Sequence, residues 1–148
     1  MSQNASIYIA DPSMLGSRVF DRIDGVQSYE DTSNGSTATG VRFTFPWGSI
    51  TMNFTSPDNL QQHLNGFSGY AEHVIKDRDT LIYTLARIRY VRMAIGCVVE
   101  VDDSDIAAAA NFLVAFTNAL NGLLFADDTI WDFNGEALGG KAADDDEA

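Results

Sequence analysis

Two runs of strictly alternating side chains constrain the fold of this chain more than any other feature. In GVRFTFPWGSITMNFTS, Val41, Phe43 and Phe45 alternate with Arg42 and Thr44. Beyond Pro46-Trp47-Gly48, Ile50, Met52 and Phe54 alternate with Thr51, Asn53 and Thr55. A period of two sends successive side chains to opposite faces of a strand, so both runs read as strands. The Phe-Pro-Trp-Gly link has proline second and glycine fourth, the residue choices of a tight turn. The expectation is a β-hairpin with one buried face and one polar, Thr-rich face. A second alternation, Val91, Met93, Ile95, Cys97, Val99 and Val101, is filled in between largely by Ala94, Gly96 and Val98. Such a strand is expected to be central and covered on both faces.

The segments around these strands carry helix and turn signals. Ser6 to Ala10 is a short apolar strand, and Asp11-Pro12 is a helix start followed by Met14, Leu15, Arg18, Val19, Arg22 and Ile23 at helical spacing. Val26 to Asp31 reads as a strand, and Asn34-Gly35-Ser36 as a turn. Ser56-Pro57-Asp58 opens a second helical stretch through Leu60, Leu64, Phe67, Tyr70 and Val74, which Gly66 and Gly69 are expected to divide. After the charged connector Lys76-Asp77-Arg78-Asp79, Leu81, Ile82, Leu85, Ala86 and Ile88 mark another amphipathic helix.

Residues 106–126, IAAAANFLVAFTNALNGLLFA, carry no charge at all. A membrane span needs about twenty apolar residues in one helix. Here Asn111, Asn118 and Asn121 intervene, Gly122 ends the helix, and both flanks are acidic rather than basic, against the pattern of inserted helices. The stretch therefore reads as a helix over 106–121, with Asp103-Ser104-Asp105 as cap and acidic first turn, followed by a strand at Leu123 to Phe125. A helix apolar on nearly all sides must be covered on nearly all sides. Burial in the core is the expectation, and a homodimer contact the alternative. Thr129 to Phe133, Asn134-Gly135 and Glu136 to Leu138 form a second hairpin signal.

The expected order is β-α-β-β-β-α-α-β-α-β-β. This is an α+β fold, one domain over residues 1–138, with a mainly antiparallel sheet and helices packed on one side. Residues 139–148, GGKAADDDEA, are expected to be a disordered acidic tail. At 148 residues the chain is long enough to bury a core without staples. Nine Lys and Arg face twenty-one Asp and Glu, a net charge of −12 that repels nucleic acid and anionic lipid at long range. A lone cysteine, Cys97, and a start without a basic, secretion-like segment point to the cytoplasm.

The candidate chemistry is sparse. Asp127, Asp128, Asp132, Asn134 and Glu136 fail the calcium-loop spacing in either register, so no metal site is expected. His63 and His73, with Glu72, have no ligand-spaced partner. Cys97 reads as a small buried hydrophobe. No phosphate-cradling glycine loop or nucleophile motif occurs, and no cofactor is expected. Arg87, Arg89 and Arg92, with Lys76 and Arg78, are five of the nine basic residues within seventeen positions. Their guanidinium forks suit carboxylate or phosphate, and internal pairing to Asp77, Asp79 or Glu100 is the simpler expectation. The leading expectation is a non-catalytic protein-binding module, chaperone-like or immunity-like, whose acidic surface meets a basic partner through Trp47, Asp127, Asp128 and Asp132. The alternative is a small enzyme or ligand-binding domain that holds an anionic molecule on Arg87, Arg89 or Arg92.

Overall fold

The computed structural model describes residues 2–11, 28–31, 40–54 and 57–141. The helix expected after Pro12, the turn at Asn34-Gly35 and the chain from Ala142 onward lie outside the described residues.

Among the described residues, eight strands form one antiparallel sheet. They are β1 (Ser2–Ile9), β2 (Ser28–Asp31), β3 (Gly40–Phe45), β4 (Gly48–Phe54), β5 (Met93–Val101), β6 (Leu123–Ala126), β7 (Thr129–Trp131) and β8 (Ala137–Gly140). Their spatial order is β2-β3-β4-β5-β1-β6-β7-β8. The first alternation does form a hairpin through Phe54, with Phe45 paired to Gly48 around Pro46-Trp47. The second alternation, β5, lies between β4 and β1, deep inside the sheet. The strand expected at Leu123 to Phe125 and the hairpin expected after it join as a three-stranded meander, β6-β7-β8. Its first turn is the pair Asp127 and Asp128, both at φ 53. Positive φ at both central positions is the mirror-image turn that matches strand twist, and Asp tolerates it better than most residues.

Among the described residues there are three helices: α1 (Pro57–Val74), α2 (Arg78–Arg89) and α3 (Ile106–Ala119). α1 runs unbroken through Gly66 and Gly69, where an added Cβ would meet nothing. Leu64, Phe67, Ala71 and, just past its end, Ile75 are buried along one side. Tertiary packing of that stripe outweighs the roughly 1 kcal/mol helix penalty of each glycine. α2 begins on Asp77, whose carboxylate accepts from the Thr80 N–H (2.9 Å) and hydroxyl (2.7 Å). These bonds hold the Asp77 carboxyl below its ordinary pKa. α3 ends where expected, with Asn121 at φ 52 and the Gly122 N–H donating to the Thr117 carbonyl. Its start differs. Asp103–Asp105 form a 3-10 turn, and Asp105, at ψ 9, makes no side-chain cap bond. An N-cap carboxylate reaches back to the helix only from an extended backbone.

The antiparallel α+β fold is as expected, but the helices cover both faces of the sheet instead of one side. Alternation in the strands shows how. Ile7, Ile9, Ile95, Cys97, Val99 and Leu124 pack under Phe112, Leu113 and Phe116 of α3. Tyr8, Ala94, Leu123 and Ile130 point the other way, against Leu64, Phe67 and Ala71 of α1 and Ile88 of α2. Successive apolar residues such as Leu123 and Leu124 need a cover on each side, which one layer of helices cannot supply. The first two residues of the segment expected to be a tail are strand. Gly139 and Gly140 belong to β8 and are buried. A side chain at Gly139 would run into Ile75, and one at Gly140 (φ 112) into the Asp128 carbonyl. These glycines are there for close packing.

Candidate functional site

An apolar cleft of about 660 Å³ lies between α3 and the sheet. Its helix wall is Ile106, Ala109, Ala110, Leu113 and Val114. Its floor is Ala5, Val99, Leu124 and Ala126, with Trp131 on β7. The cleft follows from the size of these side chains. On one flank of α3, Phe112 and Phe116 fill the space down to Phe43 and Phe45, with ring centroids 4.7–5.8 Å apart. On the other flank alanines face alanines, and helix and sheet do not close. Ile106, Val114, Ala126 and Trp131 stay half-buried in consequence. The Trp131 indole N–H donates to the Ala126 carbonyl at 3.1 Å, which fixes the ring in the wall.

Carboxylates gather at one end of this cleft. Asp127 and Asp128 line it and are exposed. Strand register brings further acids to the same end: β5 finishes there with Glu100 opposite Ser2, and the chain continues through Asp102, Asp103 and Asp105. Lys141 approaches Asp127 at 3.8 Å, but both groups are well exposed, so the pair contributes little. Lys76 and Arg78 are adjacent in sequence to Asp77 and Asp79, which balances their charge. The cleft therefore joins an apolar floor to an anionic rim.

Other sequence candidates fall elsewhere. Trp47 sits at the β3–β4 turn with its ring stacked on Phe45 (4.2 Å, 10°), beside a shallow depression edged by Glu100 and Asp102. Arg87 and Asp132 meet each other. Arg87 lies 3.8 Å from the Asp132 carboxylate and donates to the Asn121 carbonyl at 2.7 Å and the Tyr83 hydroxyl at 3.2 Å. Tyr83 in turn donates to Asp132 at 2.7 Å. Partial burial first, and the Asp132 bond second, raise the Tyr83 pKa. This network ties α2 to the end of α3 and to the loop after β7. Arg87 is thus paired internally, with Asp132 rather than the expected Asp77, Asp79 or Glu100. Arg89 and Arg92 are exposed and make no ion pair among the described residues.

His63 on α1 has its Nε2 2.7 Å from the Tyr8 hydroxyl, over a shallow depression lined also by Phe67, Tyr70 and Phe125. Burial pushes the Tyr8 phenol up to about 12. Cys97 is buried mid-sheet, and desolvation pushes its thiol up to about 12, which keeps it protonated and unreactive. None of the three arginines lines the α3 cleft, the depression at Trp47 or that over Tyr8. Among the described residues no three His, Cys, Asp or Glu side chains are grouped to hold a metal ion. No helix there is long and apolar enough to cross a membrane. The sequence reading marked Asp127 and Asp128 but missed the cleft. Its only trace was the run Ala107 to Ala110 on an otherwise bulky helix.

No family model, curated protein or solved structure matches this chain.

Proposed function

We propose that the protein is a non-catalytic protein-binding module that takes an apolar, cationic segment of a protein partner in the α3 cleft. The observation that carries this reading is the apolar cleft ending on the Asp127–Asp128 turn. A wall of Ile106, Val114 and Trp131 supplies burial for an anchor side chain, which contributes about 1.5–3 kcal/mol for a Leu- or Phe-sized group. The rim carboxylates and the net charge of −12 draw in a basic flank and speed its encounter. The buried, unpaired Cys97 supports a reducing, cytoplasmic setting. The alternative, an anionic ligand held on an arginine cluster, has less support: Arg87 is committed to Asp132 and Asn121.

The test is calorimetric titration with an end-blocked peptide in which two arginines flank isoleucine and tyrosine, beside a counterpart with glutamates in place of the arginines. Binding of the arginine peptide only, weakening as salt rises and lost in Ala110→Phe, is the expected result. Ala110 is exposed on α3, so phenylalanine there fills the cleft without touching the rim charge. Equal binding to wild type and Ala110→Phe would remove the cleft from the account.

A further inference from the structure

We infer that the partner segment which fits the α3 cleft is presented by a second copy of this chain, on the exposed face of α2. The inference rests on the reading of the cleft given above. Among the described residues the exposed large hydrophobic side chains are Ile82 (56% exposed), Tyr83 (38%) and Tyr90 (65%). All three fall within nine positions, on α2 or at the residue that caps it. Scattered apolar residues on a surface need no explanation, but a cluster on one helix marks a contact surface. Ile82, Ala86 and Arg89 follow at helical spacing on the exposed side, with Tyr90 and then Arg92 just beyond.

Charge and direction specify the occupant. Arg89 and Arg92 are the exposed cations of that patch. The Arg92 N–H bonds to the Ile9 carbonyl at 2.8 Å, so they lie at the end of the sheet where β1 finishes and β5 begins. Asp11 is a carboxylate at that end, already engaged in a contact of its own. The cleft opens at the opposite end, where β5 finishes, and on the opposite face. One molecule cannot bring its own α2 to its own cleft, whereas two molecules set head to tail can. Ile82 and Tyr90 then supply the apolar anchors, and Arg89 and Arg92 face the carboxylates of the rim. Because the joined patches differ, each added copy leaves one cleft and one α2 face open unless a ring closes. The product is a ring or a linear chain, not a closed two-fold dimer.

Sedimentation velocity on the full chain, over a wide concentration range at low and high salt, tests this. The weight-average mass should rise from 16.1 kDa to at least roughly twofold higher at low salt and fall back as salt screens the rim. Ile82→Glu alters only the α2 face and Ala110→Phe only the cleft, both at exposed positions, and each alone should remain monomeric. Mixed together they should form a 1:1 heterodimer, since each supplies the half the other lacks. A wild-type mass fixed at 16.1 kDa, or a mixture that stays monomeric while wild type associates, overturns the head-to-tail inference. If wild type is monomeric yet still binds the arginine peptide in the cleft, the second copy is refuted and the binding-module reading survives. If neither association nor peptide binding occurs, both fall.

Discussion

The two faces of the sheet are covered by different means. Under α3 the cover is mainly apolar, with one side-chain tie at its end where Asn118 donates to the Phe133 carbonyl at 3.1 Å: aromatic rings pack densely on one flank, and on the other small residues leave the cleft open. Under α1 and α2 the cover is tied by directional polar contacts. Tyr8 meets His63, Tyr70 donates to the Asp128 carbonyl at 2.7 Å, and Arg87 and Tyr83 converge on Asp132. Polar contacts with fixed partners set the position of a helix. Apolar packing tolerates a gap if other contacts hold the helix, and here Phe112 and Phe116 do so. The first face is therefore where a binding site can be kept open at little cost to the fold.

Substitutions on each face test that contrast. The largest effect is expected from Phe116→Ala, since Phe116 is fully buried among Phe43 and Phe112. A loss of about 3–5 kcal/mol, read as a lower denaturant midpoint at unchanged slope, follows from the cavity left behind. Asp132→Ala on the other face removes the shared partner of Arg87 and Tyr83. About 2 kcal/mol is expected, less than for a fully buried pair because Arg87 is partly exposed.

A pH series tests the middle of the sheet. The folded-state pKa values of Tyr8 (10.0 raised to about 12) and Cys97 (9.0 raised to about 12) lie above those of the unfolded chain. Between these values the unfolded chain has lost protons that the folded chain retains. The stabilisation is therefore complete below about pH 9 and is lost as pH climbs toward 12. Denaturation midpoints should fall over that range, and Tyr8→Phe with Cys97→Ala should flatten the decline. The smallest effect belongs to Ala110→Phe, within about 0.5 kcal/mol of wild type in stability while abolishing peptide binding.

How much of this was legible in the sequence depends on the range of the interactions. The β3–β4 hairpin, β5 and the end of α3 at Asn121-Gly122 are set by local periodicity and turn chemistry, and they stand in the structure as read. The helix distribution over two faces was already implied by consecutive apolar residues such as Leu123 and Leu124, but choosing it requires knowing which helix lies over which strand. The Arg87–Asp132 contact spans forty-five positions and depends on the loop after β7, which spacing does not reveal. Gly139 and Gly140 resembled a flexible tail because a glycine needed for close approach to Ile75 or Asp128 looks the same in one dimension. The cleft was the least legible feature. It is an absence of side-chain volume between Ala110 and Ala126, and only the assembled layers define it.

The central claim, that the α3 cleft is the binding site, is tested most directly by the two tryptophan indole N–H resonances in proton–nitrogen spectra during titration with the arginine peptide. Trp131 lines the cleft, and Trp47 stacks on Phe45 beside a separate depression. The account predicts that the Trp131 resonance shifts progressively while that of Trp47 stays in place. A shift of Trp47 alone, or a saturating interaction that moves neither indole, would contradict it.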